Sequence, residues 1–148
     1  MRALLQRVSR AEVRSEGARI GSIGLGLVIL LGVGPIDDES TADELARKVS
    51  GLRIFPDEAG QTNRSLLDVN GRALVVSQFT LYADTRRGRR PGFTRGAAPD
   101  VAERLYRRFA EALGSHGVEV ATGRFGAEMS VELVNEGPFT IWLDTDEA

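Results

Sequence analysis

The sequence predicts an α/β fold in which mixed β-sheets, with about seven strands, carry two main helices packed on one face. Residues 27–33 and 73–81 are apolar and β-branched, as buried strands are. Residues 42–52 and 99–113 instead place apolar side chains at helical spacing. The chain has 148 residues, which is about the length of one domain, so residues 1–148 are predicted to form a single domain.

In the first half of the chain, the strand predictions rest on short apolar runs. Ser15–Ala18 has the composition of a hairpin turn, because the apolar residues Ala11 and Val13 precede it and Ile20 follows it. Residues 57–65 are rich in turn-forming residues and are predicted to be a loop. The strands predicted around these turns are residues 2–8, 27–33 and 53–56.

The first helix is predicted from a capping signal and a period. Thr41 and Glu44 have the spacing of a capping box with Thr41 as the N-cap, so residues 37–40 before them are predicted to be loop. Gly51 weakens the end of this helix by about 1 kcal/mol. The apolar residues at helical spacing are Ala42, Leu45, Ala46, Val49 and Leu52.

The second half repeats this combination of strands and a helix. Asn70-Gly71 is a tight turn that leads into the strand at residues 73–81. Residues 83–97 form a long loop, and loops of that length are usually functional or disordered. Residues 99–113 form the second helix, with proline at its first position. Further strands are predicted at residues 118–122, 129–135 and 139–144.

Composition excludes several kinds of site. The chain has no cysteine, which excludes disulfides, thiol nucleophiles and cysteine-bound metals. His116 is its single histidine, and its place between glycines after a helix predicts an exposed loop residue. The acidic pairs lie at turns or near the C-terminus, so we predict no metal and no cofactor. The longest apolar run, residues 25–33, is about half of the roughly 20 residues that span a bilayer. We therefore expect no membrane contact and a cytoplasmic location.

A cluster of arginines stands out from the overall charge of −2. Five arginines lie within ten residues of the long loop, with no acidic residue among them. Such clustering on an otherwise acidic chain predicts contact with a polyanion at one place, with a solvated surface loop as the alternative. These residues are Arg86, Arg87, Arg89, Arg90 and Arg95.

Polar chemistry remains possible at two stretches. In Ser77-Gln78-Phe79-Thr80 an apolar strand becomes polar at its end, where the side chains either pair across the sheet or form a site. In Asn135-Glu136-Gly137-Pro138-Phe139-Thr140 a Gly-Pro corner separates two strong strands. This corner is either an ordinary trans turn or a cis peptide that offers a fixed pair of carbonyl acceptors.

These two stretches, in this order, resemble the signatures of the D-aminoacyl-tRNA deacylase family. Both the S-Q-F-T signature at residues 77–80 and the N-x-G-P-x-T signature at residues 135–140 are complete. The resemblance runs almost end to end, through Gln6-Arg7-Val8, Arg53-Ile54-Phe55, Arg89–Phe93 in the arginine loop and Thr122–Phe125.

The resemblance implies a homodimer that hydrolyses the ester of D-aminoacyl-tRNA and of mischarged glycyl-tRNA. It implies that Gly137-Pro138 is a cis peptide inserted into the partner subunit's pocket, where its carbonyls hold the α-amino group and its backbone rejects L side chains. It also implies that Arg7 braces this motif, which Asn135 opens, and that Met129 is a pocket wall. The arginine loop would follow the phosphates of the acceptor stem.

Two accounts of the chemistry follow from the resemblance. In the first account Thr80 is the nucleophile. In the second, the ribose hydroxyl of the substrate assists the attack of water. An activated threonine needs a base within about 3 Å, and the sequence offers no obvious one, so we favour the second account. Phe79 and Thr80 would then stabilise the oxyanion through backbone N–H groups, while Ser77 and Gln78 orient the adenosine or the water.

Two other functions remain open at this stage. A non-catalytic RNA-binding module would explain the arginines, but it needs aromatic residues among them, and only Phe93 qualifies. A small-molecule esterase would use Ser77 or His116.

Overall fold

The computed structural model describes residues 1–147 as eight strands and two α-helices. Helix α1 spans Glu39–Gly51 and α2 spans Pro99–Ser115. A short 3₁₀ turn at Phe79–Tyr82, here called the strand-end turn, follows the sixth strand. The strands are β1 (Arg2–Ser15), β2 (Ala18–Ile23), β3 (Gly26–Gly32), β4 (Arg53–Pro56), β5 (Thr62–Ser65), β6 (Arg72–Ser77), β7 (Glu119–Thr122) and β8 (Ser130–Asp144).

Six of the strands form one mixed sheet in the order β2-β1-β3-β6-β7, with β8 also paired to β1. The pairs of β1 with β2, β3 and β8 are antiparallel, whereas β3–β6 and β6–β7 are parallel. Strands β4 and β5 form a separate two-stranded sheet. The long strand β1 therefore connects the hairpin, the central strands and β8, and this confirms the predicted mixed architecture.

Both helices pack on the same face of the large sheet, as predicted. Leu27, Ile29 and Leu31 alternate along β3 and point into the core that the helices cover. The buried helical residues in this core include Leu45, Val49, Leu105, Phe109 and Leu113. On the opposite face, Val28 and Leu74 join a second apolar cluster with Val8 and Val13. The central strands are thus buried on both faces, which explains why their sequences are apolar without alternation.

The predicted start of α1 is wrong by one turn. The N-cap is Asp38, whose carboxylate accepts a hydrogen bond from Thr41 N at 2.9 Å. Thr41 is the third helical residue, and its hydroxyl oxygen accepts a hydrogen bond from Asp38 N. The capping box therefore exists with different members, and residues 39–40, predicted as loop, are helical.

Three strand predictions also need correction. Residues 62–65, predicted as loop, form β5, which pairs with β4. The strand predicted at residues 73–81 ends at Ser77, because its neighbour β3 ends at Gly32 and the last paired residues are Leu31 and Ser77. Residues 129–135 and 139–144 belong to the single strand β8, since both halves pair with β1 around the Gly-Pro break.

Candidate active site

A cavity of about 620 Å³ opens at the carboxyl end of β6. Ser77, Gln78, Phe79 and Met129 are among the residues that line it. The lining is mostly apolar, and its one charged residue within residues 1–147 is Glu128. The other main contributors come from the long loop, the segment before β8 and the start of β8, among them Phe93, Ala97, Phe125 and Val131.

The strand-end turn forms where the hydrogen-bond ladder between β6 and β3 ends. Gln78 N donates to Leu31 O at 2.8 Å, which is the last bond to β3. Leu81 N then bonds Gln78 O at 3.2 Å and Ala83 N bonds Thr80 O at 3.0 Å, so the backbone curls into a turn. Gly32 allows this close packing, because a Cβ there would lie 3.1 Å from Gln78 O. The alternation of side chains predicted for residues 77–80 therefore stops at Gln78.

The first two backbone amides of this turn are free. Within residues 1–147 neither Phe79 N nor Thr80 N donates a hydrogen bond, as expected for the first N–H groups of a helical turn. Phe79 lies on the cavity lining, and its side chain is 61% exposed. The turn thus places unpaired donors beside an apolar cavity, where a developing negative charge would be stabilised.

The hydroxyl of Thr80 has a local partner. Gln78 Nε2 donates to Thr80 Oγ1 at 2.5 Å, and Thr80 is not among the residues that line the cavity. In the part of the chain that the structure describes, no carboxylate or histidine hydrogen-bonds to Ser77 or Thr80. Neither hydroxyl therefore has the base that an activated nucleophile needs.

The Gly-Pro corner, residues 136–139, projects from the β1–β8 pair. Gln6 pairs with Thr140 and Val8 with Asn135, so Arg7 alone stands opposite the four residues of the corner. The Gly137-Pro138 peptide is cis, as the resemblance implies. Gly137 has a φ of 131°, which L side chains rarely adopt, and both residues of the peptide are exposed.

Asn135 closes the base of the corner. Its Nδ2 donates to Phe139 O at 2.9 Å and to Arg7 O at 3.0 Å. Its Oδ1 accepts from Phe139 N at 3.1 Å. These three bonds pair backbone groups of Arg7 and Phe139 that have no partner in the β1–β8 ladder at the corner. An asparagine suits this position because its side chain both donates and accepts.

Arg7 contacts the corner from the neighbouring strand. Its Nε donates to Glu136 O at 3.1 Å and its Nη1 to Ile54 O at 2.8 Å. The guanidinium carbon lies 4.6 Å from the centre of the Phe139 ring. Because a guanidinium can hold two acceptors and a ring face at once, the corner is fixed to both β1 and β4.

The corner does not belong to the cavity of its own chain. Ser77, Gln78, Phe79 and Met129 line that cavity, whereas Gly137, Pro138, Asn135 and Arg7 do not. The structure thus divides the predicted site residues into two groups.

The arginine loop, residues 83–97, is closed at its base. Asp84 and Gly92 exchange two backbone hydrogen bonds of 2.8 and 2.9 Å. The Asp84 carboxylate also accepts from Arg86 Nε and Nη2 at 2.8 and 2.7 Å, and this pairing holds its pKa well below the usual range. Pairing with Asp84 therefore neutralises one of the five clustered arginines, Arg86. Within residues 1–147 no ion pair forms at the exposed residues Arg87, Arg89, Arg90 and Arg95.

Two exposed aromatic rings join this loop to the cavity. The ring of Phe93, 47% exposed, stands edge-on to that of Phe79 with 5.2 Å between their centres. Both rings line the mouth of the cavity. Phe79 entered the sequence analysis for its backbone alone, and Phe93 and Phe125 were not predicted as site residues. The one sequence feature that could have indicated Phe93 as a site residue is its position as an aromatic residue within a basic loop.

Other chemistries find no support in this geometry. His116 is exposed and lines a separate cleft with Asp43 and Arg108, so it shares no cavity with Ser77. Residues 1–147 contain no group of three acidic or histidine side chains that could hold a metal ion. No helix in the described range is both long and apolar enough to cross a membrane.

Comparison with known proteins gives consistent matches over the whole chain. Residues 4–144 match the family model described as D-Tyr-tRNA(Tyr) deacylase. A protein of Symbiobacterium thermophilum named D-aminoacyl-tRNA deacylase is 58% identical over 99% of this chain and 97% of its own. A protein of Thermomicrobium roseum with the same name is 60% identical over 99% of this chain and 96% of its own.

Two solved structures resemble this one. The structure titled c-Myc DNA Unwinding Element Binding Protein has a TM-score of 0.91 and 37% identity, over 98% of this chain and 99% of its own. A second, titled as a probable eukaryotic D-amino acid tRNA deacylase, has a TM-score of 0.85 at 19% identity, over 96% of this chain and 97% of its own. The second likeness concerns the fold alone.

Proposed function

Because the chain belongs to the D-Tyr-tRNA(Tyr) deacylase family, we propose that it hydrolyses the ester between a D-amino acid and the terminal adenosine of tRNA. The products are the free D-amino acid and reusable tRNA, and mischarged glycyl-tRNA is a second substrate because glycine has no side chain to reject. The reaction takes place where tRNA is charged, in the cytoplasm. The observation that carries this proposal is the pair of free amides at Phe79 and Thr80 beside an apolar cavity.

Selection against L-amino acids requires two copies of the chain in this proposal. The Gly137-Pro138 corner of one copy enters the cavity of the other, where main-chain carbonyls accept hydrogen bonds from the substrate's ammonium group. Three features support this: the corner is exposed, lies outside its own cavity and is braced by Arg7 and Asn135. An L side chain would collide with this backbone, whereas a D side chain points away, so selection works by rejection.

The chemical step needs little from side chains, because an aminoacyl ester is already reactive. Water adds to the carbonyl carbon, assisted by the neighbouring ribose hydroxyl of the substrate, and the ester C–O bond breaks. The ribose oxygen leaves with a proton and the carboxylate is released. The negative charge that develops on the carbonyl oxygen is stabilised by the N–H groups of Phe79 and Thr80. Ser77 and Gln78, on the cavity wall, orient the adenosine or the water.

The tRNA body extends along the arginine loop. Arg87, Arg89, Arg90 and Arg95 are exposed, and the Phe79–Phe93 contact joins the loop to the cavity mouth. Phosphates of the acceptor stem are the polyanion that this charge suits, while the body of the chain remains acidic. The apolar cavity and the free amides of the strand-end turn support an enzyme over a module that only holds RNA.

Deacylation of matched D- and L-aminoacyl-tRNA by the purified chain tests this proposal. We expect release of the D-amino acid and of glycine, with the L-aminoacyl ester persisting as long as in buffer. Hydrolysis of both isomers at similar rates would overturn the rejection mechanism. Binding of tRNA without any release of amino acid would instead favour the non-catalytic module.

A further inference from the structure

Arg2, at the start of β1, joins two segments that are far apart in the sequence. Its Nη1 donates to Leu81 O, in the strand-end turn, at 2.8 Å. Its Nε donates to the Asp144 carboxylate, at the end of β8, at 2.8 Å. One guanidinium therefore ties the turn that carries the free amides to the edge of the sheet.

Aromatic side chains hold this guanidinium in place. Its carbon lies 4.4 Å from the centre of the Tyr82 ring and 5.7 Å from that of Trp142. The Arg2 side chain is 23% exposed, and that of Asp144 is 4% exposed. Tyr82 is 5% exposed and packs on Gly34, where a Cβ would lie 2.6 Å from the tyrosine oxygen. The arginine is therefore held by contact with two aromatic rings as well as by its hydrogen bonds.

The strand-end turn has few internal bonds of its own. The backbone bonds Leu81 N to Gln78 O and Ala83 N to Thr80 O are of the 3₁₀ type, whose geometry is poorer than in an α-helix. A bond from a charged donor is about twice as strong as one between neutral groups. The bond to Leu81 O therefore restrains the turn from outside, two residues after Phe79.

We propose that Arg2 is a positioning residue, which holds the strand-end turn so that the amides of Phe79 and Thr80 point at the reacting carbonyl. This inference rests on the proposed function and deepens it. It also gives roles to Tyr82 and Asp144, for which the sequence alone suggests none. Arginine is required because a lysine ammonium cannot reach two acceptors in fixed directions while it lies flat on a ring.

Steady-state kinetics of Arg2→Met and Arg2→Lys on D-aminoacyl-tRNA test the proposal. We expect kcat to fall roughly ten- to hundredfold in both, because a small misplacement of catalytic groups has effects of that size. KM should stay within about twofold, since Arg2 is neither in the cavity lining nor in the arginine loop. Arg108→Met is the matched control, because it removes an arginine with a two-bond carboxylate partner, Asp43, between the helices.

Arg2→Met leaves the Asp144 carboxylate buried without its partner, which threatens folding. The double variant Arg2→Met with Asp144→Asn removes that charge and is the second test. In each folded variant, amide hydrogen exchange of the whole protein should accelerate at residues 81–83, whose amides are bonded within the turn, and stay unchanged in β3 and α2.

An unchanged kcat, or a loss of protection spread evenly over the chain, would overturn the positioning role. Failure of the proposed function gives a different result, because the unaltered chain would then release no D-amino acid at all. Faster exchange confined to residues 81–83 together with a reduced kcat supports the inference.

Discussion

The guanidinium of Arg7 holds the backbone of Glu136, with 3.1 Å between Arg7 Nε and the carbonyl oxygen. The same side chain reaches Ile54 O at 2.8 Å, so the corner is connected to a second sheet. The proposed main-chain filter rejects an L side chain only if the backbone of the corner does not move aside when the substrate binds. The rigidity of the corner is therefore part of the proposed selectivity.

Arg7→Gln should reduce the ratio of D- to L-aminoacyl-tRNA hydrolysis, because the corner loses both carbonyl bonds and the contact with the Phe139 ring. Activity on glycyl-tRNA should change less, since that substrate needs no rejection. Arg10→Gln is a suitable control, because Arg10 lies on the same strand and pairs with the exposed Glu132 at 3.0 Å. Equal ratios in the two variants would remove Arg7 from the selectivity mechanism. The ratio follows from initial rates on the two isomers.

Gly137→Ala should lose activity or discrimination while the chain remains folded. A Cβ at this position would lie 3.0 Å from Phe139 N and 3.1 Å from Arg7 Nη2, in a backbone conformation that disfavours L residues. Gly60→Ala is the matched control, because Gly60 has a φ of 78° in a surface turn with nothing near its Cβ. Gly60→Ala adds about 1–2 kcal/mol of backbone strain, and Gly137→Ala adds at least as much, because a φ of 131° lies outside the left-handed helical region. A well-folded Gly137→Ala protein with an unaltered D-to-L ratio would refute the main-chain filter.

The sequence could predict the elements that depend on local pattern. The apolar periods of β3, α1 and α2 and the turn at Asn70-Gly71 all fall where the pattern predicts them. The end of β6 could not be found in this way. Its continuation through Leu81 alternates polar and apolar residues as a strand can, but a strand needs a neighbour, and β3 has already ended.

Prediction of the candidate site from local sequence pattern is limited in the same way. Residues of the two signatures lie at the cavity and at the corner, yet several residues that contact them lie far away in the sequence. Arg2 and Leu81 are 79 positions apart, and Phe79 meets Phe93 only because the loop folds back. Contacts of this kind follow from the path of the sheet, which no local period encodes. The shift of the N-cap from Thr41 to Asp38 is a smaller case, since both residues fit the local chemistry.

Neutralising the arginines of the long loop should flatten the salt dependence of tRNA binding. Replacing the four exposed residues by glutamine should reduce the slope of log K against log salt by up to about three, because each phosphate contact contributes roughly 0.7–0.9. Four exposed arginines of the helices serve as a control of equal charge. The loop set is Arg87, Arg89, Arg90 and Arg95, and the control set is Arg47, Arg104, Arg107 and Arg108. Equal slopes in the two variants would leave the loop without a role in tRNA binding.

Thr80→Ala should keep measurable hydrolysis. The substitution removes the hydroxyl that accepts from Gln78 Nε2 but keeps the backbone amide. Losing one such bond costs about 1 kcal/mol, which corresponds to roughly a fivefold change in rate. A variant that binds tRNA normally and shows no turnover would establish the hydroxyl as the nucleophile. Single-turnover rates on D-aminoacyl-tRNA separate these outcomes.

Phe79→Pro isolates the contribution of one backbone amide. Proline lacks the N–H group and is tolerated in the first turn of a helix. Gln78 before it has a φ of −140° and a ψ of 81°, which lies outside the α region that a following proline disfavours. Because the substitution also removes the phenyl ring and its contact with Phe93, Phe79→Ala is the control that keeps the amide.

Relative to Phe79→Ala, kcat of Phe79→Pro should fall by about 10²–10³, the usual effect of removing one oxyanion donor. KM should differ little between these two variants, since both lack the ring at the cavity mouth. If their kcat values agree while both proteins unfold at the same temperature, the oxyanion is stabilised by other groups. A difference confined to KM would instead assign the amide to substrate binding.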